Sequence, residues 1–213
     1  LSKFIRPHAV AITTVGPVHL ENFADGEIGV ARAKAEIFDG LEPGGVAVLN
    51  ADNQWFDLLK GEAEKAGAVV RDFGREATFA RLIDFVVEDA GATVVAELDG
   101  ERLSFPIRQT GVHWGPNSLC VLLMLEALGV DRATALAALA EFAPIEGRGA
   151  EQTVAIDGGS FTLVDESYNA NPVSMQAALA TLGARKVAGR KIVVLTDMLE
   201  LGPDSPGFHA QLA

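Results

Sequence analysis

The sequence predicts an α/β protein: part of a mostly parallel, doubly wound sheet carrying a small antiparallel patch, followed by the start of a second α/β domain. Three observations predict it. Short β-branched runs alternate with helical-period segments through the first third of the chain. Three closely spaced strand-like runs interrupt that alternation at 82–107. A glycine-rich, charged stretch, IEGRGA at 145–150, then precedes a fresh strand, strand, helix pattern. The expected domains are 1–146 and 147–213, with IEGRGA as the hinge.

Taken in order, PHAVAITTV (7–15) reads as a buried strand. The next segment, 26–41, places Ile28, Ala31, Ala35 and Phe38 at helical spacing, with Gly44 and Gly45 as the stop. GVAVLN is a strand, and Asp52 is placed to cap a helix running to about Ala66. AVVRDFG is another strand. In 82–107, turns are expected near 89–91 and at the Asp99, Gly100 pair, because Asp-Gly favours tight hairpins. Pro116 should open a long apolar helix, and a second should start near Asp131 and end before Pro144. Beyond the hinge, TVAIDGGSFTLVDES reads as a hairpin with a Gly-Gly turn. A helix follows Pro172, and KIVVLTD (191–197) reads as a strand.

Composition narrows the function. Hydrophobic residues make up 49% of the 213, which suits a globular core. The net charge of −12 argues against nucleic-acid binding, which needs clustered Lys and Arg. An anionic substrate would need a local basic or metal site against that field. No run reaches the roughly 18 apolar residues of a membrane helix, so no membrane partner is expected. The single cysteine, Cys120, allows no internal disulfide and fits a cytoplasmic setting. Leu1 at the start and a helical pattern in SPGFHAQLA at the end suggest a piece of a longer protein. No GxxxxGK[ST], GxGxxG, CxxC or HExxH pattern occurs, so a nucleotide enzyme complete within these residues is not expected.

Several polar clusters fall at strand ends, where open α/β sheets bind ligands. GPVHLE presents His19 and Glu21 in a turn, as a metal or phosphate site or as a surface histidine. Lys34 falls near Ala31, Ala35 and Phe38. It is either a snorkelling lysine or a buried, carbamylated one able to hold Mg²⁺. Asn117, in the first turn after His113, either caps the helix or meets a polar ligand group. Arg148 between two glycines suits phosphate, or is a solvated linker arginine. TDMLELG reads by itself as a strand end with a packed turn. DESYNANPVSM (165–175) crowds acids and small polar side chains into one strand-to-helix turn.

In order, TTVGPVHLENF, ARAKAEIF, VLNADN, GVHWGPNSL, GRG, VDESYNANPVSM and VLTDMLELG resemble the Mur ligase family along essentially the whole chain. SYNANP and DMLELG are similar to the branch that joins D-alanyl-D-alanine to UDP-N-acetylmuramoyl-tripeptide. The resemblance implies the later part of a central ATP-binding domain and the opening of a Rossmann-like C-terminal domain, without the first domain and the GKT-type phosphate loop. It implies a cytoplasmic, monomeric, ATP- and Mg²⁺-dependent ligase of peptidoglycan precursor synthesis, inactive as this piece alone. The reaction would run through an acyl phosphate. By the same resemblance His19 and Lys34, the latter carbamylated, would hold Mg²⁺. Asn117 would lie beside the nucleotide, Arg148 would reach the terminal phosphate, and Asp165 and Glu166 would hold the ribose hydroxyls. Ser167, Asn169 and Asn171 would line the substrate side. The chain departs from the family pattern at Trp114, where asparagine is usual, at Glu166, where aspartate is usual, and at Thr196, where glycine is usual. A different Mur ligase, a folylpolyglutamate synthase-like enzyme and a non-catalytic nucleotide-binding module are the alternatives.

Overall fold

A computed structural model describes residues 1–17, 20–88 and 91–212. The elements run α1 (Ser2–Ile5), β1 (Ala9–Ile12), α2 (Glu27–Ala35), β2 (Val46–Asn50), α3 (Phe56–Lys65), β3 (Val69–Gly74), β4 (Ala80–Glu88), β5 (Gly91–Leu98), β6 (Glu101–Ile107), α4 (Trp114–Ala127), α5 (Arg132–Glu141), β7 (Ala150–Ile156), β8 (Gly159–Asp165), α6 (Pro172–Ala184) and α7 (Ser205–Ala210). Short 3-10 turns cover Leu20–Asn22, Glu36–Gly40 and Gly202–Asp204. Six strands form one sheet in sequential order, and β7 with β8 forms a second. Strands β1 to β4 pair parallel, and β4, β5 and β6 pair antiparallel. The expected parallel sheet with an antiparallel patch is therefore present.

Alternation along β2 explains the layers. Ala47 and Leu49 face one core, with Val30, Ala31 and Phe38 from the α2 region and Leu59 and Ala63 from α3. Val48 faces the other, with Leu119, Leu122 and Leu123 of α4 and Ala135 and Leu139 of α5. Both faces of the parallel strands are thus covered by helices, which is why these strands read as continuous apolar runs.

The link between β3 and β4 is too short for a helical crossover, so side chains hold it. Asp72, only 8% exposed, accepts from the Thr78 N–H at 3.0 Å and the Phe79 N–H at 2.6 Å, and from the Thr78 hydroxyl. Asp52 accepts from the Arg75 and Glu76 N–H groups at 2.9 and 2.8 Å. Gly74 sits at φ 134, and a Cβ there would come within 2.7 Å of the Asp52 carboxylate. This corrects the expectation for Asp52. Helix α3 starts four residues later, at Phe56, and the carboxylate stitches the turn after β3 instead.

Other boundaries shift for local reasons. Helix α4 begins at Trp114, so Pro116 lies inside its first turn, where no backbone donor is needed. Asp131 caps α5 by accepting from the Thr134 N–H at 3.0 Å. Asp99 and Gly100 both take positive φ, as a twisted two-residue hairpin requires. The turn joining β4 to β5 lies partly outside the described residues. Between β7 and β8 the turn falls on Asp157 and Gly158, with Gly159 already paired to Ile156, rather than on the Gly-Gly pair. KIVVLTD does not form a strand: among the described residues it has no ladder partner, and Val194 is 89% exposed. An apolar β-branched run becomes a strand only when another strand accepts its backbone groups.

Replacing Asp72 by alanine would leave the Thr78 and Phe79 N–H groups without their acceptor. Chemical denaturation should show a loss of roughly 2–4 kcal/mol, with Asp72→Asn retaining part of it.

Candidate functional site

The register of the small hairpin assembles the site. Pairing runs from Ile156 with Gly159 back to Ala150 with Asp165. GRG, just before Ala150, is therefore brought beside DESY, just after β8. Asp165 ties the two segments together: its carboxylate accepts from the Gly147 N–H at 3.1 Å and the Ser167 N–H at 3.0 Å, and its carbonyl accepts from the Gly149 N–H at 2.8 Å. The Tyr168 N–H donates back to the Gly147 carbonyl at 3.1 Å. The bonds from Ser167 and Gly147 hold the Asp165 carboxyl below the usual aspartate range. Gly147, at φ 74, is needed on two counts, because a Cβ there would also meet Tyr168 at 3.1 Å. Arg148 is thereby thrust outward, its guanidinium 4.0 Å from the centroid of the Tyr168 ring. It makes no ion pair among the described residues.

A cavity of about 1570 Å³ opens between this turn and the end of the large sheet. One side carries Arg148, Asp165, Glu166, Ser167, Asn169 and Asn171. The other carries Arg108, Thr110, His113 and Trp114, and residues 192–197, Thr196 included, line a further part. The space exceeds the roughly 300–1,000 Å³ of ordinary small-molecule clefts. Burial and the neighbouring Asp165 carboxylate push Glu166 above the usual glutamate range. Burial lowers His113, whose Nδ1 has no hydrogen-bond partner, so the ring is neutral near pH 7.

The polar turn divides into structural and free groups. Asn171 caps α6: its Oδ1 accepts from the Ser174 N–H at 2.9 Å while its own N–H donates to the Ser174 hydroxyl at 3.1 Å. Pro172 takes the first position of that helix, as its missing N–H allows. Asn169 accepts from the Ala170 N–H at 2.9 Å. Asn171 and Asn169 thus spend their side-chain oxygens on the backbone, and their amide NH₂ groups remain for the cleft.

Two expected residues stand outside the cavity lining, and a third cannot be placed among the described residues. His19 lies outside the described residues. Lys34 is exposed on α2 and does not line the cavity, which corrects its placement on the apolar side. Ala31, Ala35 and Phe38 make the buried stripe, and Lys34 falls on its solvent flank. Asn117 is half-buried in α4, outside the cavity lining, and its N–H donates to the His113 carbonyl at 3.2 Å. Among the described residues no group of three His, Cys, Asp or Glu is placed to hold a metal ion.

Sequence reasoning missed Arg185. It follows α6, pairs with Glu151 on β7, and reaches Thr110 Oγ1 of the large-sheet unit at 3.4 Å. Arg108 pairs with Glu141, and Gln109 donates to the Phe142 carbonyl at 2.9 Å, bracing the same wall. No local pattern links residues 75 positions apart. In the turn at 196–202, Met198 and Leu201 are buried. His209 braces that turn, with Nε2 2.7 Å from Asp197 and 3.0 Å from the Met198 N–H. Cys120 is no nucleophile, since burial pushes its thiol up to about 12.

Comparison with known proteins gives a consistent result. The family described as Mur ligase middle domain matches residues 1–125, and that described as Mur ligase, glutamate ligase domain, matches 152–213. The chain is 31% identical over 212 residues to a UDP-N-acetylmuramoyl-tripeptide–D-alanyl-D-alanine ligase of Escherichia coli (strain K12), covering 97% of this chain and 44% of that protein. It superposes on the crystal structure of MurF from Acinetobacter baumannii with a TM-score of 0.87 at 26% identity, over 99% of this chain and 44% of the other. The MurF ligase of Thermotoga maritima in complex with ADP shares the fold, with a TM-score of 0.80 at 24% identity over 97% and 45% of the two chains. The chain thus spans less than half the length of these relatives.

Asp165→Ala should release both turns, and trypsin should then cut after Arg148 markedly faster than in the parent. Because the Asp165 carboxyl is held low, hydrogen-exchange protection of the Gly147 and Ser167 amides should persist at pH values below ordinary aspartate titration. It should disappear as the pH falls through the depressed value.

Proposed function

Since the chain belongs to the Mur ligase family, we propose that the full-length protein is the ATP-dependent ligase that joins D-alanyl-D-alanine to UDP-N-acetylmuramoyl-tripeptide. The observation that carries this reading is the stitched pair of turns. They set an unpaired Arg148 beside Glu166 at the mouth of a cleft large enough for a nucleotide and a peptide together. The similarity to the Escherichia coli ligase and to the Acinetobacter structure supports the choice of substrates. We place the domain boundary between residues 146 and 147, at the glycine turn that precedes the second sheet.

In the proposed reaction the γ-phosphoryl group of ATP passes to the tripeptide carboxylate, and ADP leaves. The amine of the dipeptide attacks the acyl carbon. The bond to phosphate breaks, the amine loses a proton, and an amide remains. Such chemistry needs positioning and charge compensation more than a protein nucleophile. Arg148 would meet the terminal phosphate with a planar, always-charged fork. Glu166 would accept from the ribose hydroxyls, and the free amides of Asn169 and Asn171 would face the peptide. ATP would enter as its magnesium complex, with His19 and Lys34 as the residues the family pattern assigns to the ion.

Phosphate release by the full-length protein tests the reading. With ATP, magnesium and UDP-N-acetylmuramoyl-tripeptide present, release should depend on added D-alanyl-D-alanine. Equal release with glutamate in its place would overturn it. The 213-residue chain, which lacks a GxxxxGK[ST] loop, should release none. Arg148→Ala should lower kcat about 100- to 1,000-fold, as loss of a charge-stabilising donor does. Glu166 takes up its proton at a higher pH than an ordinary glutamate. Affinity for ADP should therefore weaken early as the pH falls, and Glu166→Gln should flatten that dependence.

A further inference from the structure

The wall of the cleft facing Arg148 carries a residue that the proposed reaction leaves without a task. Trp114 opens α4, lines the cavity and is half-buried. It packs against the core cluster that holds Leu119, Leu122 and Leu123, so the indole is braced from behind. Its aromatic neighbours lie tilted. His113 is 5.6 Å away at 39° and Phe142 is 6.4 Å away at 52°, so neither ring is stacked parallel on the indole. A braced indole with no ring stacked parallel on it thus lines the same cavity as the Arg148 guanidinium and the Glu166 carboxylate. Phe161 also lines the cavity, and Tyr168, beside Arg148, already has that guanidinium over its ring.

We propose that Trp114 is the stacking platform for the purine base of the bound nucleotide, and so a specificity-determining residue. This rests on the reading of the cleft as a nucleotide site. Flat base, ribose and phosphate then match indole, Glu166 and Arg148 in turn. The consequence concerns selectivity. Stacking reads the π-face that every base has and is nearly blind to exocyclic groups. A polar side chain at this position would read base edges instead. Trp114 should therefore bind adenine and guanine nucleotides with similar strength.

The test uses the full-length protein with Trp55 and any tryptophan outside this chain replaced by phenylalanine, so that emission reports Trp114 alone. Adding ADP should quench that emission saturably, GDP should do so within about tenfold of the same concentration, and tripolyphosphate should not. In calorimetry Trp114→Ala should weaken ADP about 5- to 100-fold, as loss of one base–aromatic stack does, and Trp114→Phe should recover most of it. ADP binding with unchanged emission, or with unchanged affinity in Trp114→Ala, would overturn the platform while leaving the nucleotide site standing. Absence of ADP binding in the parent would overturn the nucleotide site, and the platform with it. Should Trp114→Ala not fold, the emission measurement decides.

Discussion

The Asp165 carboxylate is the joint on which the arrangement of the cleft depends. It accepts from Gly147 on one side and Ser167 on the other, while the adjoining carbonyl accepts from Gly149. Three backbone donors in two separate turns are satisfied by one residue at the end of β8. A charged acceptor serving backbone N–H groups is among the stronger hydrogen-bonding arrangements available to a turn. Without it, Arg148 and Glu166 would sit on independent loops. With it, they form one rigid edge whose spacing follows from the hairpin register.

The large sheet serves that edge by presenting the opposing wall. Two aspartates, Asp72 and Asp52, hold the short link that sets β4 parallel beside β3, and β5 and β6 then add antiparallel. The three-stranded patch packs on α4, whose first residue, Trp114, and the preceding His113 lie at the cleft. Side chains that look catalytic in the sequence are thus often scaffolding. Asp165, Asn171 and Asp52 all spend their oxygens on backbone donors, the commonest fate of Asp and Asn at element ends. The groups left for a ligand are those that geometry forbids from turning back on the backbone, Arg148 foremost.

Charge points the same way. The chain carries −12 overall, yet four arginines line the cavity. Arg108 and Arg185 are neutralised by Glu141 and Glu151 and act as braces, and Arg190 is exposed to solvent. Arg148 is left with only the Tyr168 ring, which orients a guanidinium without cancelling its charge. A local cation kept unpaired in an acidic protein is the feature an anionic substrate needs.

The sequence by itself determined the alternation of strands and helices, the antiparallel patch and the glycine turn before the second sheet. Those features rest on local propensity and on hydrophobic period, which neighbouring residues carry. The order of short motifs was enough to point to the family, and it identified Trp114 as a departure. Tertiary structure decided which polar residues are free. That Asn171 is a cap, that Lys34 faces solvent and that Asp52 serves a turn more than twenty residues away follow from where distant backbone donors end up, and no local pattern encodes that. The same holds for KIVVLTD, whose composition is that of a strand but whose backbone has no ladder partner among the described residues. It holds also for Arg185, whose link to Thr110 joins residues from the two units of the chain.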